Sequence, residues 1–228
     1  RQQALLQVMQ PALLVLQQRH PDHRLNVHFR ASEALGANAF ALPGGYIVIN
    51  SGLILKADSA AEMLGVVAHE IAHVTEQHSV RNIMGTAGVY LTVNAMLGDM
   101  SGLMAVVADA APFLINQSYS RGFESDADEK GLALLHRAAI NPVGLVTFFE
   151  KLRALEQEKM QEIAGEDNSE TVESTLQFLS THPATDERIE NLRQRIDALP
   201  HQRERDLQNE FDALKERVKL FVAEEDQT

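Results

Sequence analysis

The chain has no cysteine. That removes disulfides, thiol nucleophiles and thiolate ligands together, and any bound metal must rely on histidine and carboxylate. Positive charge is scarce too: 20 Lys and Arg stand against 32 Asp and Glu, a formal net charge of −12. Such an acidic chain disfavours a nucleic-acid partner and gains no attraction to anionic lipid. Long apolar runs are also missing. The most membrane-like stretch covers 83–117, and its longest charge-free run goes from Ile83 to Gly98. That is short of the roughly 20 apolar residues a spanning helix needs, and Asp99 and Asp109 interrupt the remainder of the stretch. It reads as buried or amphipathic structure. The chain opens on Arg1 rather than methionine, with no visible signal peptide, and so reads as a processed or trimmed segment.

What remains is ample for a core. The 228 residues are 45% hydrophobic, enough for one substantial domain or a domain plus a helical appendage. Residues 2–19 are rich in Gln and Leu and helical in character, with Pro11 starting or kinking a helix. Leu25 to Arg30 alternates as a half-buried strand does, Asn38 to Leu42 is a second strand, and Tyr46 to Asn50 a third after the Pro43-Gly44-Gly45 turn. Helices are expected over 59–78, 120–139, 143–164, 184–199 and 201–226, and 165–174 is an acidic, polar loop. Residues 1–200 then form the main domain, and 201–228 a charged helix that extends from it.

His69-Glu70-Ile71-Ala72-His73 carries the chemistry. Four-residue spacing on a helix puts both imidazoles on one face, one turn apart, where they can share a metal ion. Glu70 beside them can accept a proton from an activated water. The same helix is apolar nearly all round, so it is a core helix. Burying His69, His73 and Glu70 there is costly unless they have partners, and a metal is an economical one.

A hydrolytic zinc usually has three protein ligands. In one pattern the third is a histidine ten residues after the first, with a glycine between, but here those positions hold Ser79 and Glu76. Glu76 lies about 10 Å along a straight helix from His69, too far for one ion, and His78 about 140° round it from His73. His78 is therefore assigned a solvated or capping role. On the 120–139 helix, Glu124 and Asp128 share a stripe with Ala127, Gly131, Leu135 and Ala138. Glu124 is the best third ligand. Asp128 suits acceptance of the far N–H of a zinc-bound histidine, His69. The plainer alternative is a buried ion network of both acids with Arg81, Arg121 or Arg188.

Four separated motifs carry a resemblance: the Asn38–Leu53 stretch (NAFALPGGYIVINSGL), His69–His73 (HEIAH), Arg121–Asp128 (RGFESDAD) and Ser180–Ile189 (STHPATDERI). Together they resemble the gluzincin metalloendopeptidases of peptidase family forty-eight, in its soluble bacterial branch related to the CAAX prenyl endopeptidase. The likeness covers about residues 20–195. It implies an α+β class: a mostly helical, zincin-like metalloprotease domain with a small antiparallel sheet. It implies one Zn2+ on His69, His73 and Glu124, with Glu70 as general base. It places His182 facing the metal, as oxyanion donor or as a resting-state cap; otherwise His182 is simply a loop histidine. Arg188 anchors its helix on a buried carboxylate. A peptide or unfolded protein would lie extended along an edge strand at Asn38, Ala39 and Phe40, with 165–175 as a lid. The resemblance further implies the bacterial envelope, in the periplasm, and peripheral association with the membrane or outer-membrane assembly machinery. A rival is a catalytically silent, zinc-stabilised chaperone or assembly factor for unfolded envelope proteins.

Overall fold

Three short strands form the sheet: β1 (Asn26–Arg30), β2 (Ala39–Leu42) and β3 (Tyr46–Asn50). Gly44 and Gly45 adopt φ of 88° and 85°, a region suited to glycine, and reverse the chain between β2 and β3. That hairpin is antiparallel, with Ala39 opposite Ile49 and Ala41 opposite Ile47. The sheet order is β1-β3-β2, and β1 runs parallel to β3. The expected antiparallel sheet is thus mixed. A parallel neighbour needs a crossover rather than a tight turn, and the chain between β1 and β2 supplies it by passing to the far edge. The computed structural model describes residues 16, 25–32, 35–85, 88, 118–163 and 177–225. The expected helix at 2–19 apart from Leu16, most of 83–117 and the 165–175 loop lie outside them.

Helix α1 (Ser51–Lys56) follows β3 directly and was not foreseen from the sequence. Helix α2 (Ala60–Thr75) starts where the Ser59 side chain accepts the Glu62 N–H at 3.1 Å. Met63, Leu64, Val66, Val67 and Ile71 are all buried on it, each worth roughly 1.5–3 kcal/mol relative to exposure. That burial holds the helix in the core despite its polar residues. It ends at Thr75, and Gln77 has a left-handed φ of 56° before residues 78–85 resume as helix.

Helices α3 (Arg121–Arg137) and α4 (Val143–Ile163) both pack on α2. α3 is capped by Ser120, whose hydroxyl accepts the Phe123 N–H. A short helix α5 (Gln177–Thr181), also not foreseen, precedes α6 (Asp186–Asp197), which Thr185 caps. Helix α7 (Gln208–Glu225) does not extend from the body. Phe211, Leu214 and Val218 are buried in the common core, and Lys215 donates to the Ala57 carbonyl at 2.6 Å. Among the described residues no helix is long and apolar enough to cross a membrane.

Candidate metal centre

Four buried side chains from three parts of the fold bring one donor atom each within 4.8 Å of one another: His69 and His73 of α2, Glu124 of α3, and His182 just after α5. The spacing is local in origin. One helical turn sets the two Nε2 atoms 3.0 Å apart. α3 then crosses α2 so that Glu124 Oε2 lies 3.4 Å from His69 Nε2, and Oε1 lies 3.4 Å from His73 Nε2. His182 Nδ1 is 2.9 Å from Glu124 Oε1 and 3.4 Å from His69 Nε2. Its ring is stacked on Phe178, and its backbone N–H donates to the Phe178 carbonyl.

The residues fit a metal. Bonds of about 2.0–2.1 Å to a tetrahedral zinc would set donor atoms about 3.3–3.4 Å apart, close to the separations found. Two imidazole nitrogens at 3.0 Å with a carboxylate facing both repel unless a proton or a cation lies between them. Glu70 adds a second sign: it is fully buried, and neither carboxylate oxygen has a well-formed hydrogen bond. Its nearest imidazole nitrogen is His182 Nε2, 3.4 Å from Oε1.

The charges are set by these neighbours. Burial raises the Glu70 carboxyl, while His182, His69 and the Ala41 amide pull it partly back. Burial would raise Glu124 also, but the imidazoles around it, His182 foremost, hold it well below the usual carboxylate range. Burial pushes His73 well below its ordinary value, which leaves it neutral. For His69 burial works the same way, yet Asp128 and Glu124 outweigh it and lift the imidazole to about 9.

Asp128 Oδ1 lies 3.0 Å from His69 Nδ1. Arg188 grips Asp128 with two hydrogen bonds, 2.8 Å from Nε and 2.7 Å from Nη2, and sends Nη1 to Glu124 Oε2 at 2.7 Å. The buried ion network and the four-donor cluster therefore coexist, sharing Glu124.

Two expectations change. His78 is fully buried, stacked on Phe123, and neither solvated nor a cap. The straight-helix wheel fails there because the chain turns at Gln77. The free edge of β2 is also narrower than Asn38, Ala39 and Phe40. The Asn38 carbonyl accepts the Asn50 N–H at 2.9 Å, so by alternation Phe40 also faces β3, and only the odd residues face outward. Of these, the Ala41 carbonyl accepts from Ser79 Oγ at 3.1 Å, which leaves Ala39. The Asn38 side-chain amide is buried with neither polar atom hydrogen-bonded.

Tyr119 escaped the sequence reading. Its ring stacks on His73 at 4.0 Å between centroids, and its hydroxyl meets Ser79 Oγ at 2.7 Å. A lone tyrosine just ahead of α3 carries no periodic signal that marks it.

The model of Peptidase family M48 matches residues 1–196. This chain belongs to peptidase family M48. Among similar proteins, the β-barrel assembly-enhancing protease of Yersinia pestis is 31% identical over 191 residues, 78% of this chain and 36% of the relative. Metalloprotease LoiP of Escherichia coli K12 is 30% identical over 177 residues, 75% and 64% of the two chains. The mitochondrial metalloendopeptidase OMA1 of Saccharomyces cerevisiae is 30% identical over 166 residues, 73% and 45%. The chain spans about a third of the assembly-enhancing proteases it matches.

Proposed function

We propose that this M48 chain is a zinc-dependent endopeptidase acting on extended or unfolded protein segments. The observation that carries this is the convergence of His69, His73 and Glu124 beside a buried Glu70 with no well-formed hydrogen bond. His69, His73 and Glu124 would hold the ion, with His182 Nδ1 a fourth donor in this conformation. When bound, zinc supplies Lewis acidity, polarising the scissile carbonyl and lowering the pKa of a water.

Glu70, raised by burial, takes a proton from the attacking water as the new C–O bond forms. It returns that proton to the amine as the C–N bond breaks. His182 lies between Glu124 and Glu70, and so caps the centre. Turned aside, it is placed to donate to the carbonyl oxygen as negative charge builds there. Asp128 fixes the tautomer of His69, and Arg188 keeps Asp128 and Glu124 ionised and in place. An extended substrate would add to the β2 edge through the outward N–H and C=O of Ala39, and the bare amide of Asn38 is a further polar partner for it. Recognition of backbone rather than side chains gives broad specificity. By likeness to relatives named for β-barrel assembly, the substrates would be unfolded envelope proteins, met in the periplasm near the outer-membrane assembly machinery. Residues 1–200 would form the protease domain, with 201–228 as a brace against it.

The test is digestion of casein by purified protein with and without a chelator, beside the Glu70→Gln variant. Cleavage should require metal and vanish in the variant, which should still hold its ion. Chelator-resistant cleavage, or full activity in Glu70→Gln, would overturn the proposal. Casein binding without any cleavage would favour the silent chaperone instead.

A further inference from the structure

His69 and His73 must each present a lone pair at Nε2 to hold a metal, so each must carry its proton at Nδ1. For His69 the carboxylate facing that nitrogen is Asp128, with Oδ1 3.0 Å away. Among the described residues no carboxylate meets His73 at its Nδ1. What it meets there is another imidazole: His78 Nδ1, 3.0 Å away.

Two facing imidazole nitrogens make a hydrogen bond only if one is protonated and the other is not. The far side of His78 decides which. Its Nε2 lies 3.2 Å from Asp126 Oδ2, and an ionised carboxylate can only accept. His78 therefore carries its proton on Nε2 and donates it to Asp126. Its Nδ1 is then a bare acceptor, and His73 must donate to it from Nδ1. That leaves His73 Nε2 unprotonated and directed at His69 and Glu124. The order of protons is set outward to inward by one half-exposed acid.

We infer that His78 and Asp126 form a relay that fixes the tautomer and orientation of His73, making His78 a positioning residue for the metal centre. The inference rests on the proposal that His69, His73 and Glu124 hold the ion. His78 is suited to the role in other ways. It is fully buried, and its ring is clamped between Phe123, at 4.5 Å with planes 22° apart, and the edge of His73. Only the left-handed turn at Gln77 brings it inward. The centre thus has one support for each imidazole, both drawn from α3: Asp128 directly, and Asp126 through a histidine.

Outer-shell partners of ligating histidines are typically worth about 10–100-fold in metal affinity. The test uses the whole chain and zinc, with affinity read by competition against a chromophoric chelator. His78→Phe keeps a ring on Phe123 but offers no acceptor, and should weaken zinc binding by about 10-fold or more. His78→Gln retains a carbonyl acceptor and should recover most of that loss, which a purely space-filling role would not predict. Asp126→Ala, at a half-exposed position that spares the fold, should weaken zinc in the same direction. Nitrogen-15 NMR of histidine-labelled, zinc-loaded protein should show His78 protonated at Nε2 and His73 at Nδ1. Wild-type zinc affinity in His78→Phe, or His78 protonated at Nδ1, would overturn the relay alone. A wild-type chain unable to retain zinc would overturn the metal centre and the relay together.

Discussion

Gly131 of α3 lies so close to His69 of α2 that a β-carbon on it would come within 3.1 Å of the His69 Cα. The approach of these two helices is what lets Glu124, two turns earlier on α3, reach the imidazole pair. Gly131→Val should force the helices apart. Overpacking of this kind typically costs about 1–3 kcal/mol, and the loss of metal should be larger than that loss of stability implies. Thermal melts with elemental analysis of the purified variant check both.

Removal of Glu124 should act differently from removal of Glu70. Glu124→Ala takes away a donor and should leave the protein without zinc on elemental analysis. Glu70→Gln should keep zinc, with cleavage down by at least about 100-fold, the lower end of general-base contributions. Undiminished zinc in Glu124→Ala would move the third ligand elsewhere.

Metal uptake should release protons. In the metal-free chain His69 is held at about 9 against the pull of burial, by Asp128 and Glu124. At about pH 7–8 it therefore carries a proton that an incoming ion must displace. Apparent affinity should rise about tenfold per pH unit below that value and level off above it. Calorimetric titration in buffers of different ionisation enthalpy reads the proton count, and no release near neutral pH would contradict the charge assigned to His69.

Arg188 should matter for stability as well as for the site. Its guanidinium serves Asp128 and Glu124 at once and lies 4.8 Å above the Phe149 ring. Arg188→Leu takes the guanidinium from two buried acids and should cost about 3–5 kcal/mol in denaturant melts. The acid limb should shift too. Burial raises Asp128, but Arg188 and His69 bring it below its ordinary value. Its contribution is therefore full above the unfolded pKa and is lost as pH falls through the lower native one. Without Arg188 that protection shrinks, and the variant should unfold at a higher pH than wild type.

Substrate pairing at β2 should be short. With the Ala41 carbonyl held by Ser79, outward pairing falls to Ala39. A peptide inhibitor N-methylated at the single amide that meets Ala39 should lose most of its binding, while methylation elsewhere along it should matter little. Equal losses at several positions would mean a longer pairing frame than β2 offers.

Residues joined by one helix were readable in advance because helical geometry is local. The spacing of His69 and His73, and the shared stripe of Glu124 and Asp128, are fixed by about 3.6 residues per turn wherever the helix sits. The β2–β3 hairpin was equally local, since Gly44 and Gly45 can take the φ values its turn needs. Tertiary structure decided the rest. The direction of β1 depends on a crossover whose path no pairwise pattern encodes, so the sheet is mixed. His78 turns inward because one residue, Gln77, leaves the helical region and breaks the straight-helix wheel. The double grip of Arg188 and the stacking of Tyr119 on His73 join residues far apart in the chain, whose meeting depends on how whole helices pack.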